Sequence, residues 1–283
     1  MRNLLVLLAL LAVLISSCTD GPKDKPKDNP PTESFKYELK FNQDSAYHYV
    51  ESQVAFGPRV PGTIPHGIAA NYLLNSMARL ADTAFIQYGE MQTTLNGRVE
   101  IKNIIASIDP EKKNRILLCA HWDTRPQADE DPERPTEPAD GANDGASGVG
   151  VLMEVARQLA AQPARYGVDI IFFDAEDMGS TEGGQASWCL GSQYWANNPH
   201  KKNYQAKYGI LLDMVGAKNA VFAFERNSLN RKQYATKGSQ FILRLSAVSG
   251  RERTTTGSTT TGTTTSRRRT SLLYSTGIFF FFV

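Results

Sequence analysis

Short apolar runs that end in charged residues are the feature that most restricts how this chain can fold. Residues 168–173, which are apolar except for Asp169, and residues 210–212 form short apolar runs, the pattern of strands that are buried on both faces. Residues 66–80 and 148–161 instead carry apolar side chains at helical spacing. Strands that alternate with helices predict an α/β fold in which helices cover both faces of a mostly parallel sheet. Ligands bind such sheets outside the carboxyl ends of the strands.

A second pair of apolar runs lies upstream. Residues 101–108 and 116–120 are largely apolar, and the polar turn 109–113 separates them. We expect a hairpin or two adjacent strands here.

The composition of the 283 residues is that of a globular protein, with 41% hydrophobic and 21% charged residues. The net charge of +2 depends on residues 251–270, which hold five arginines and one glutamate, whereas the rest of the chain has 26 basic and 28 acidic residues. A nearly neutral body gives no electrostatic reason to expect a nucleic-acid partner.

The first eighteen residues have the features of an export signal. Arg2 precedes twelve consecutive apolar residues, 4–15, which are too few to span a bilayer but fit the core of a signal peptide. The following Ser16-Ser17-Cys18 resembles the lipobox of bacterial lipoproteins. We expect residues 1–17 to be a lipoprotein signal peptide, Cys18 to carry the lipid and residues 18–34 to be a disordered tether. The protein would then be lipid-anchored in the bacterial cell envelope, periplasmic or surface-facing; an ordinary signal peptide with an incidental cysteine is the alternative.

The segment 226–283 differs from the rest of the chain. Residues 254–265 include nine threonines, and four phenylalanines precede Val283. Because no helical or strand period continues long enough to pack, we interpret 226–283 as an aberrant or incomplete part. A frameshift and a genuine disordered tail are the two explanations left open.

One histidine and several acidic residues follow the predicted strands or precede the predicted helix. The set comprises His121, Asp144, Glu176, Asp177 and Asp213. Carboxylates that pack together cost free energy unless a proton or a cation separates them. Carboxylates from several strand ends together with a histidine have the composition of a Zn²⁺ site that is open for catalysis.

Each cluster alone also has a structural interpretation. His121 and Asp123 can form a pair in which the carboxylate orients the imidazole. Asp144 can cap the following helix, and the acidic run after residue 173 can be a solvated loop. Asp213 can accept hydrogen bonds from backbone N–H groups.

From about residue 57 to residue 225 the sequence resembles peptidase family M28, which contains zinc peptidases and cyclotransferases. The resemblance rests on Gly57-Pro58-Arg59-Val60-Pro61-Gly62, the Asp144 loop, Asp174-Ala175-Glu176-Asp177 and the strand that ends at Asp213. It implies that residues 35–225 are a catalytic domain with a single-domain three-layer α/β/α fold. The implied central sheet is mixed and mostly parallel, as in zinc aminopeptidases.

The resemblance also implies roles for individual residues. Asp144 and Asp177 match zinc ligands, and Glu176 matches the catalytic acid/base. Asp213 matches a further catalytic aspartate, and His121 and Asp213 match the ligands of the second metal in dinuclear members.

Within the family the sequence is most similar to bacterial glutaminyl-peptide cyclotransferases. Aminopeptidases of the family commonly read Asp-x-Glu-Glu where this chain has Asp174-Ala175-Glu176-Asp177, and they often have Asn where it has Leu211. The implied reaction converts the N-terminal Gln of peptides or proteins to pyroglutamate with release of ammonia, using one zinc ion per site. A metallo-aminopeptidase with two zinc ions is the alternative, and a non-catalytic envelope binding lipoprotein is a second alternative.

The histidines depart from the family pattern. Family members place a final zinc-binding histidine near the C-terminus, whereas the histidines here are His48, His66, His121 and His200. We expect the missing ligand to weaken zinc binding and to impair activity in this polypeptide.

Aromatic residues after the acidic cluster are candidates for substrate binding. Trp188 and Trp195 can line an apolar pocket there, although core packing is the commoner role of tryptophan. A disulfide between Cys119 and Cys189 is an open possibility, although the spacing of the two residues does not support it.

Overall fold

The computed structural model describes residues 40–94, 97–162 and 164–218, together with the backbone of 277–281. The helices in these ranges are α1 (Gln43–Val54), α2 (Ile64–Ala78), α3 (Ala146–Ala161) and α4 (Leu190–Asn197), and a short 3₁₀ helix (Gln185–Ser187) precedes α4. The strands are β1 (Thr83–Gln92), β2 (Arg98–Ile108), β3 (Arg115–His121), β4 (Gly167–Phe173), β5 (Gly209–Asp213) and β6 (Gly277–Phe281).

The helices differ in how they begin. The side chain of Asn42 at the start of α1 and that of Thr63 at the start of α2 accept hydrogen bonds from first-turn N–H groups, which have no partner within a helix. Helix α3 begins after Gly145, which has a φ of 92° and supplies no side-chain cap. The interpretation of Asp144 as the cap of this helix is therefore wrong, and its carboxylate instead lies beside His121.

The six strands form one mixed sheet in the order β1-β2-β4-β3-β5-β6. Strand β3 pairs in parallel with β4 and β5, and the other three pairings are antiparallel. Strands β1, β3, β4 and β5 therefore run in one direction, which confirms the predicted mixed sheet, although only two of its five pairings are parallel. The expected hairpin or adjacent pair of 101–108 and 116–120 is wrong, because β4 lies between β2 and β3. All seven residues of β4 are buried, so its backbone groups need a hydrogen-bonding neighbour on each edge.

Alternate strand residues enter two apolar cores on opposite faces of the sheet. Leu118 and Ile170 lie in the core that α2 and α3 cover, with α1 packed on α3. Leu117 and Ile171 lie in the other core, against Trp195 of α4. Two helical layers that enclose one sheet confirm the predicted three-layer α/β/α fold.

The last described segment lies at the edge of the sheet. Gly277–Phe281 pairs with β5 as strand β6, where the sequence analysis expects no packed element. The rest of 226–283 lies outside the described residues, as does the whole N-terminal region before residue 40, which includes the predicted signal peptide, Cys18 and the predicted tether. Among the helices of the described ranges, none has both the length and the apolar character of a membrane span.

Candidate metal centre

Three neighbouring strands bring the candidate residues to one edge of the sheet. His121 is the last residue of β3, Asp213 is the last residue of β5, and Asp174 directly follows β4. Because β4, β3 and β5 are adjacent and parallel, their carboxyl ends open on a common crevice. Asp144 joins them from the loop ahead of α3, 2.8 Å from His121.

His121, Asp144 and Asp213 form a compact group of metal-binding side chains. One ligand atom of each lies within 4.8 Å of the others. His121 Nε2 is 2.8 Å from Asp144 Oδ1 and 3.4 Å from Asp213 Oδ1. Although these charges are close, neither the Nε2 of His121 nor the Oδ1 of Asp213 makes a hydrogen bond with the described residues, and both atoms are buried. Buried polar atoms without partners need a ligand to satisfy them.

The charges around His121 favour a positive group at this point. Burial by itself lowers the pKa of His121, but Asp123, Asp144 and Asp213 together raise it well above its ordinary value. Burial likewise opposes ionisation of Asp144, yet the neighbouring imidazole holds the pKa of this carboxyl below its ordinary value. The site thus attracts either a proton or a cation.

The environment of Asp177 disfavours its ionised form. Burial, with the carboxylates of Asp144 and Glu176, raises the pKa of Asp177 to about 8. Arg125 Nη1 donates a hydrogen bond to Asp177 Oδ1 at 3.1 Å, which offsets part of this cost. A divalent cation among these carboxylates would favour their ionised forms.

The donor set fits zinc. It combines an imidazole nitrogen with carboxylate oxygens, which are ordinary Zn²⁺ ligands, and it contains two buried atoms that lie within ion-pair distance of each other but make no hydrogen bond with the described residues. The compact group supplies His121, Asp144 and Asp213, whereas Asp177 is held by Arg125 beside it.

Asp123 connects the imidazole to the acidic turn after β4. Its side chain is fully buried, and Oδ1 lies 3.4 Å from His121 Nδ1. The two carboxylate oxygens accept hydrogen bonds from the N–H groups of Glu176 and Asp177 at 3.0 and 3.2 Å. Asp123 therefore fixes the ring and the turn relative to each other, as second-layer carboxylates do in metal sites.

Asp174 supports the acidic turn and is not grouped with the metal-binding side chains. His66 Nε2 lies 2.9 and 3.0 Å from its two oxygens, which also accept hydrogen bonds from the N–H groups of Lys102 and Ala175. Ala175 adopts a φ of 49°, a left-handed conformation that a non-glycine residue keeps only where its surroundings enforce it. The contacts of Asp174 hold this conformation and thereby direct the two acidic residues that follow.

An apolar cavity of about 310 Å³ opens beside the acidic cluster. Its lining residues are Leu117, Cys119, His121, Phe173, Glu176, Cys189, Ser192, Trp195, Ala196, Leu211 and Asp213. Burial raises the pKa of Glu176, and Cys189 Sγ donates a hydrogen bond to Glu176 Oε1 at 3.2 Å. A carboxyl group in this position exchanges its proton closer to neutral pH than an exposed one, as a general acid/base requires.

The two predicted substrate-binding tryptophans have different surroundings. Trp195 lines the cavity and packs edge-on against Phe173, with 5.9 Å between the ring centroids. Trp188 is not among the lining residues, and Arg125 lies over its ring at 4.9 Å. Both described cysteines are free thiols, so the disulfide left open by the sequence is absent.

The loop that carries Asp144 is joined to the end of β5. Asn143 Oδ1 accepts a hydrogen bond from the N–H of Gly216 at 2.8 Å, and Ser147 Oγ accepts one from the N–H of Val215 at 3.0 Å. These bonds hold Asp144 and Asp213 at a fixed separation although 68 residues separate Ser147 from Val215.

Two further residues contact the acidic turn and are not among the candidates predicted from the sequence. Arg125 binds Asp177. Its position two residues after Asp123, close to the predicted site in the sequence, could have indicated this role. His66 binds Asp174 across 108 residues of sequence, which leaves no local pattern.

Known proteins with similar sequences or structures include zinc exopeptidases and glutaminyl cyclases. Residues 103–267 match the model of Peptidase family M28. A Zn-dependent exopeptidase from Parabacteroides distasonis is 48% identical, with 73% of each chain covered and a TM-score of 0.69. The glutaminyl cyclase of Porphyromonas gingivalis is 46% identical, with 74% of each chain covered and a TM-score of 0.70.

Similarity to curated relatives is more limited in extent. The glutaminyl-peptide cyclotransferase of Drosophila melanogaster is 25% identical over 172 residues, which are 58% of this chain and 46% of the relative. The chain thus spans less than half the length of the curated relatives that it matches.

Proposed function

Because the chain belongs to peptidase family M28, we propose that it is a zinc-dependent glutaminyl cyclase. It would convert the N-terminal Gln of a peptide or protein to pyroglutamate and release ammonia. The similarity to the glutaminyl cyclase of Porphyromonas gingivalis supports this choice within the family.

The position of Glu176 is the observation that carries the proposal. This carboxyl lies between the acidic cluster and the apolar cavity, where Phe173, Trp195 and Leu211 form part of the wall. Cyclisation consumes no water, so a reaction space with apolar walls favours it over hydrolysis. The attack is intramolecular, and alignment of the two reacting atoms removes much of its barrier.

The proton transfers are assigned to Glu176. Its carboxylate takes a proton from the α-amine as the amine nitrogen forms a bond to the side-chain amide carbon of the substrate. The bond from that carbon to the amide nitrogen then breaks, and Glu176 returns the proton to this nitrogen, which leaves as ammonia. Asp213 lines the same cavity and would hold the amine in line.

Zinc would be held by Asp144 and Asp177 in this proposal. When bound it supplies Lewis-acid polarisation of the substrate amide carbonyl. The sequence offers no histidine after His200 to match the third ligand of the family pattern, and weak zinc affinity and low activity are part of the proposal.

An aminopeptidase is the second candidate, and one observation favours it. His121 and Asp213 join Asp144 in one compact group, which matches a second metal position rather than the single zinc of a cyclase. In that case Glu176 would activate a water molecule for hydrolysis of the first peptide bond.

Two substrates separate these functions. The protein, supplied with zinc, is incubated with Gln-Ala and with Leu-p-nitroanilide, with and without a chelator. Chelator-sensitive ammonia release from Gln-Ala supports the cyclase, and chelator-sensitive release of p-nitroaniline supports the aminopeptidase. Neither product at any zinc concentration would leave a non-catalytic binding lipoprotein. The Glu176→Gln variant is the control, because both reactions need this carboxyl.

The location in the cell is a separate proposal. We propose that Cys18 is lipidated and anchors the protein in the bacterial cell envelope, facing the periplasm or the surface. Labelled palmitate should be incorporated into the wild-type protein and not into Cys18→Ser; equal labelling of both would refute the anchor.

A further inference from the structure

Arg59 is a buried cation that is neither one of the candidate metal ligands nor one of the residues to which a catalytic role is assigned. Its side chain is inaccessible to solvent, with 0% exposure. A charged side chain in such a position is rare unless a specific partner offsets its desolvation. Among the described residues its hydrogen-bond acceptors are all backbone carbonyls, and no carboxylate lies within ion-pair distance.

The carbonyls that Arg59 binds come from three separate parts of the chain. Nε donates to Trp122 O at 3.1 Å, directly after His121 of β3. Nη1 and Nη2 donate to Asp140 O and Gly141 O at 3.0 and 2.6 Å, in the loop that leads to Asp144. A longer contact of 3.5 Å joins Nη1 to Gln53 O in α1. The planar guanidinium thus holds two ligand-bearing segments against one helix.

The loop is shaped to approach this guanidinium. Gly141 and Gly145 have φ values of 66° and 92°. A Cβ at Gly141 would lie 2.6 Å from Nη2 of Arg59, and one at Gly145 would lie 2.6 Å from Asp123 O. Glycine is therefore required at both positions for the loop to close on Arg59.

The charge of Arg59 also has a counterpart in the site. Burial lowers the pKa of Arg59 to about 10, and the carboxylates of Asp123 and Asp144 act in the opposite direction. The guanidinium therefore remains charged at neutral pH, and it partly neutralises the acidic cluster from behind the loop.

From these contacts we propose that Arg59 is a positioning residue of the metal centre, which sets the distance between His121 and Asp144 by binding the backbone of both segments. The proposal concerns the positions of His121 and Asp144: Asp144 is a zinc ligand in the proposed cyclase, and both residues are ligands in the aminopeptidase alternative.

Arg115 offers a matched control at the opposite end of β3. It is 5% exposed and also donates to backbone carbonyls, those of Asp109 and Lys112, besides its ion pair with Asp169. Replacing either arginine by lysine keeps the charge and removes the planar fork. A merely structural role predicts the same outcome for both variants, whereas the positioning role does not.

The experiment compares wild type, Arg59→Lys and Arg115→Lys by two measurements. Zinc affinity is measured by competition with a chromogenic chelator, using Zn²⁺ alone. Hydrogen exchange of the peptide covering residues 140–146 is measured on the metal-free protein. We expect Arg59→Lys to weaken zinc binding about 10–100-fold and to speed exchange in 140–146, while Arg115→Lys leaves both unchanged.

Two results would overturn the proposal. One is a wild-type zinc affinity and a wild-type exchange rate in Arg59→Lys; the other is an equal loss in both lysine variants. Exchange does not depend on zinc, so the proposal stays testable if the wild-type protein binds zinc weakly. If the lysine variant fails to fold, Arg59→Gln is a second variant, because its side-chain amide is also a planar donor. Hydrogen exchange in 140–146 of Arg59→Gln should be faster than in wild type.

Discussion

The two ends of β3 both bury charged groups, but they satisfy them in opposite ways. At the first end, Arg115 and Asp169 form a two-pronged ion pair with distances of 2.6 and 2.7 Å. At the last end, His121 Nε2 and Asp213 Oδ1 have no hydrogen-bond partner among the described residues. Similar residues can thus form either a closed ion pair or a ligand site. The difference lies in whether the buried carboxylate oxygens accept hydrogen bonds from neighbouring side chains.

At the closed end, both carboxylate oxygens of Asp169 accept hydrogen bonds from other side chains besides Arg115. Ser107 Oγ donates to Asp169 Oδ1 at 2.5 Å, and Tyr204 OH donates to Oδ2 at 2.9 Å. Burial alone would raise the pKa of Asp169, but His200 and Arg115 hold it well below its ordinary value. At the open end the pKa of Asp177 moves in the other direction, to about 8. The ionised form of Asp169 is thus stabilised at the closed end, whereas the ionised form of Asp177 at the open end is disfavoured unless a cation is added.

The largest expected effect is on catalysis at the open end. Glu176→Gln should lower kcat by about 10²–10⁴-fold, since proton transfer by this group is lost, while zinc content stays unchanged. Steady-state kinetics with Gln-Ala, the substrate expected for a cyclase, checks this. Glu154→Gln, which replaces a buried glutamate of α3, is the control and should keep the wild-type kcat. A Glu176→Gln variant with full activity would contradict the assignment.

The next effect is on stability at the closed end. Asp169→Asn leaves the Arg115 guanidinium buried and without its anion, and it should lower the free energy of unfolding by about 3–5 kcal/mol. Urea unfolding measures this change. Zinc affinity per folded molecule should not change, and a loss of zinc binding equal to that of Asp144→Asn would erase the distinction between the two ends.

Zinc addition tests the open end by itself. At a free concentration of about 100 times Kd, a ligand that binds only the folded state stabilises it by about 2.7 kcal/mol. Thermal unfolding with zinc or with a chelator should show this shift in wild type and in Asp169→Asn, and should show almost none in Asp144→Asn. A zinc shift that survives Asp144→Asn would place the ion elsewhere.

The smallest effect is a change in pH dependence. Because the pKa of Asp169 is lower in the folded than in the unfolded state, the folded state binds fewer protons in acid. Its contribution is present above about pH 4, the ordinary value for aspartate, and is lost as the pH falls below that. Asp169→Asn should therefore flatten the dependence of unfolding free energy on pH between about pH 2 and pH 4. Parallel curves for the two proteins would contradict this.

Much of the fold follows from patterns within single segments. The apolar run 168–173 predicts β4, and helical spacing in 148–161 predicts α3, because a buried strand and an amphipathic helix each leave a local period. The relative order of strands leaves no such period. The insertion of β4 between β2 and β3 depends on which strand buries most surface, and this is a property of the whole sheet.

The candidate site divides in the same manner. Its acidic residues are visible because they follow predicted strands, and parallel strand ends meet at one edge. The partners that hold these residues are not visible. His66 reaches Asp174 across 108 residues. Asp169 lies within a predicted buried strand, but nothing in the sequence indicates that Arg115, 54 residues away, is its partner.

The hydrogen bonds from the β5 end to Asn143 and Ser147 have a consequence for the order of assembly. The segments they join are far apart in sequence, and contacts of this kind form late in folding because a long loop must close first. His121, Asp144 and Asp213 therefore come together only after β5 has docked beside β3. A nascent chain that has not yet delivered residue 213 would lack one member of this group, so an ion that binds all three side chains would be acquired only when the sheet is complete.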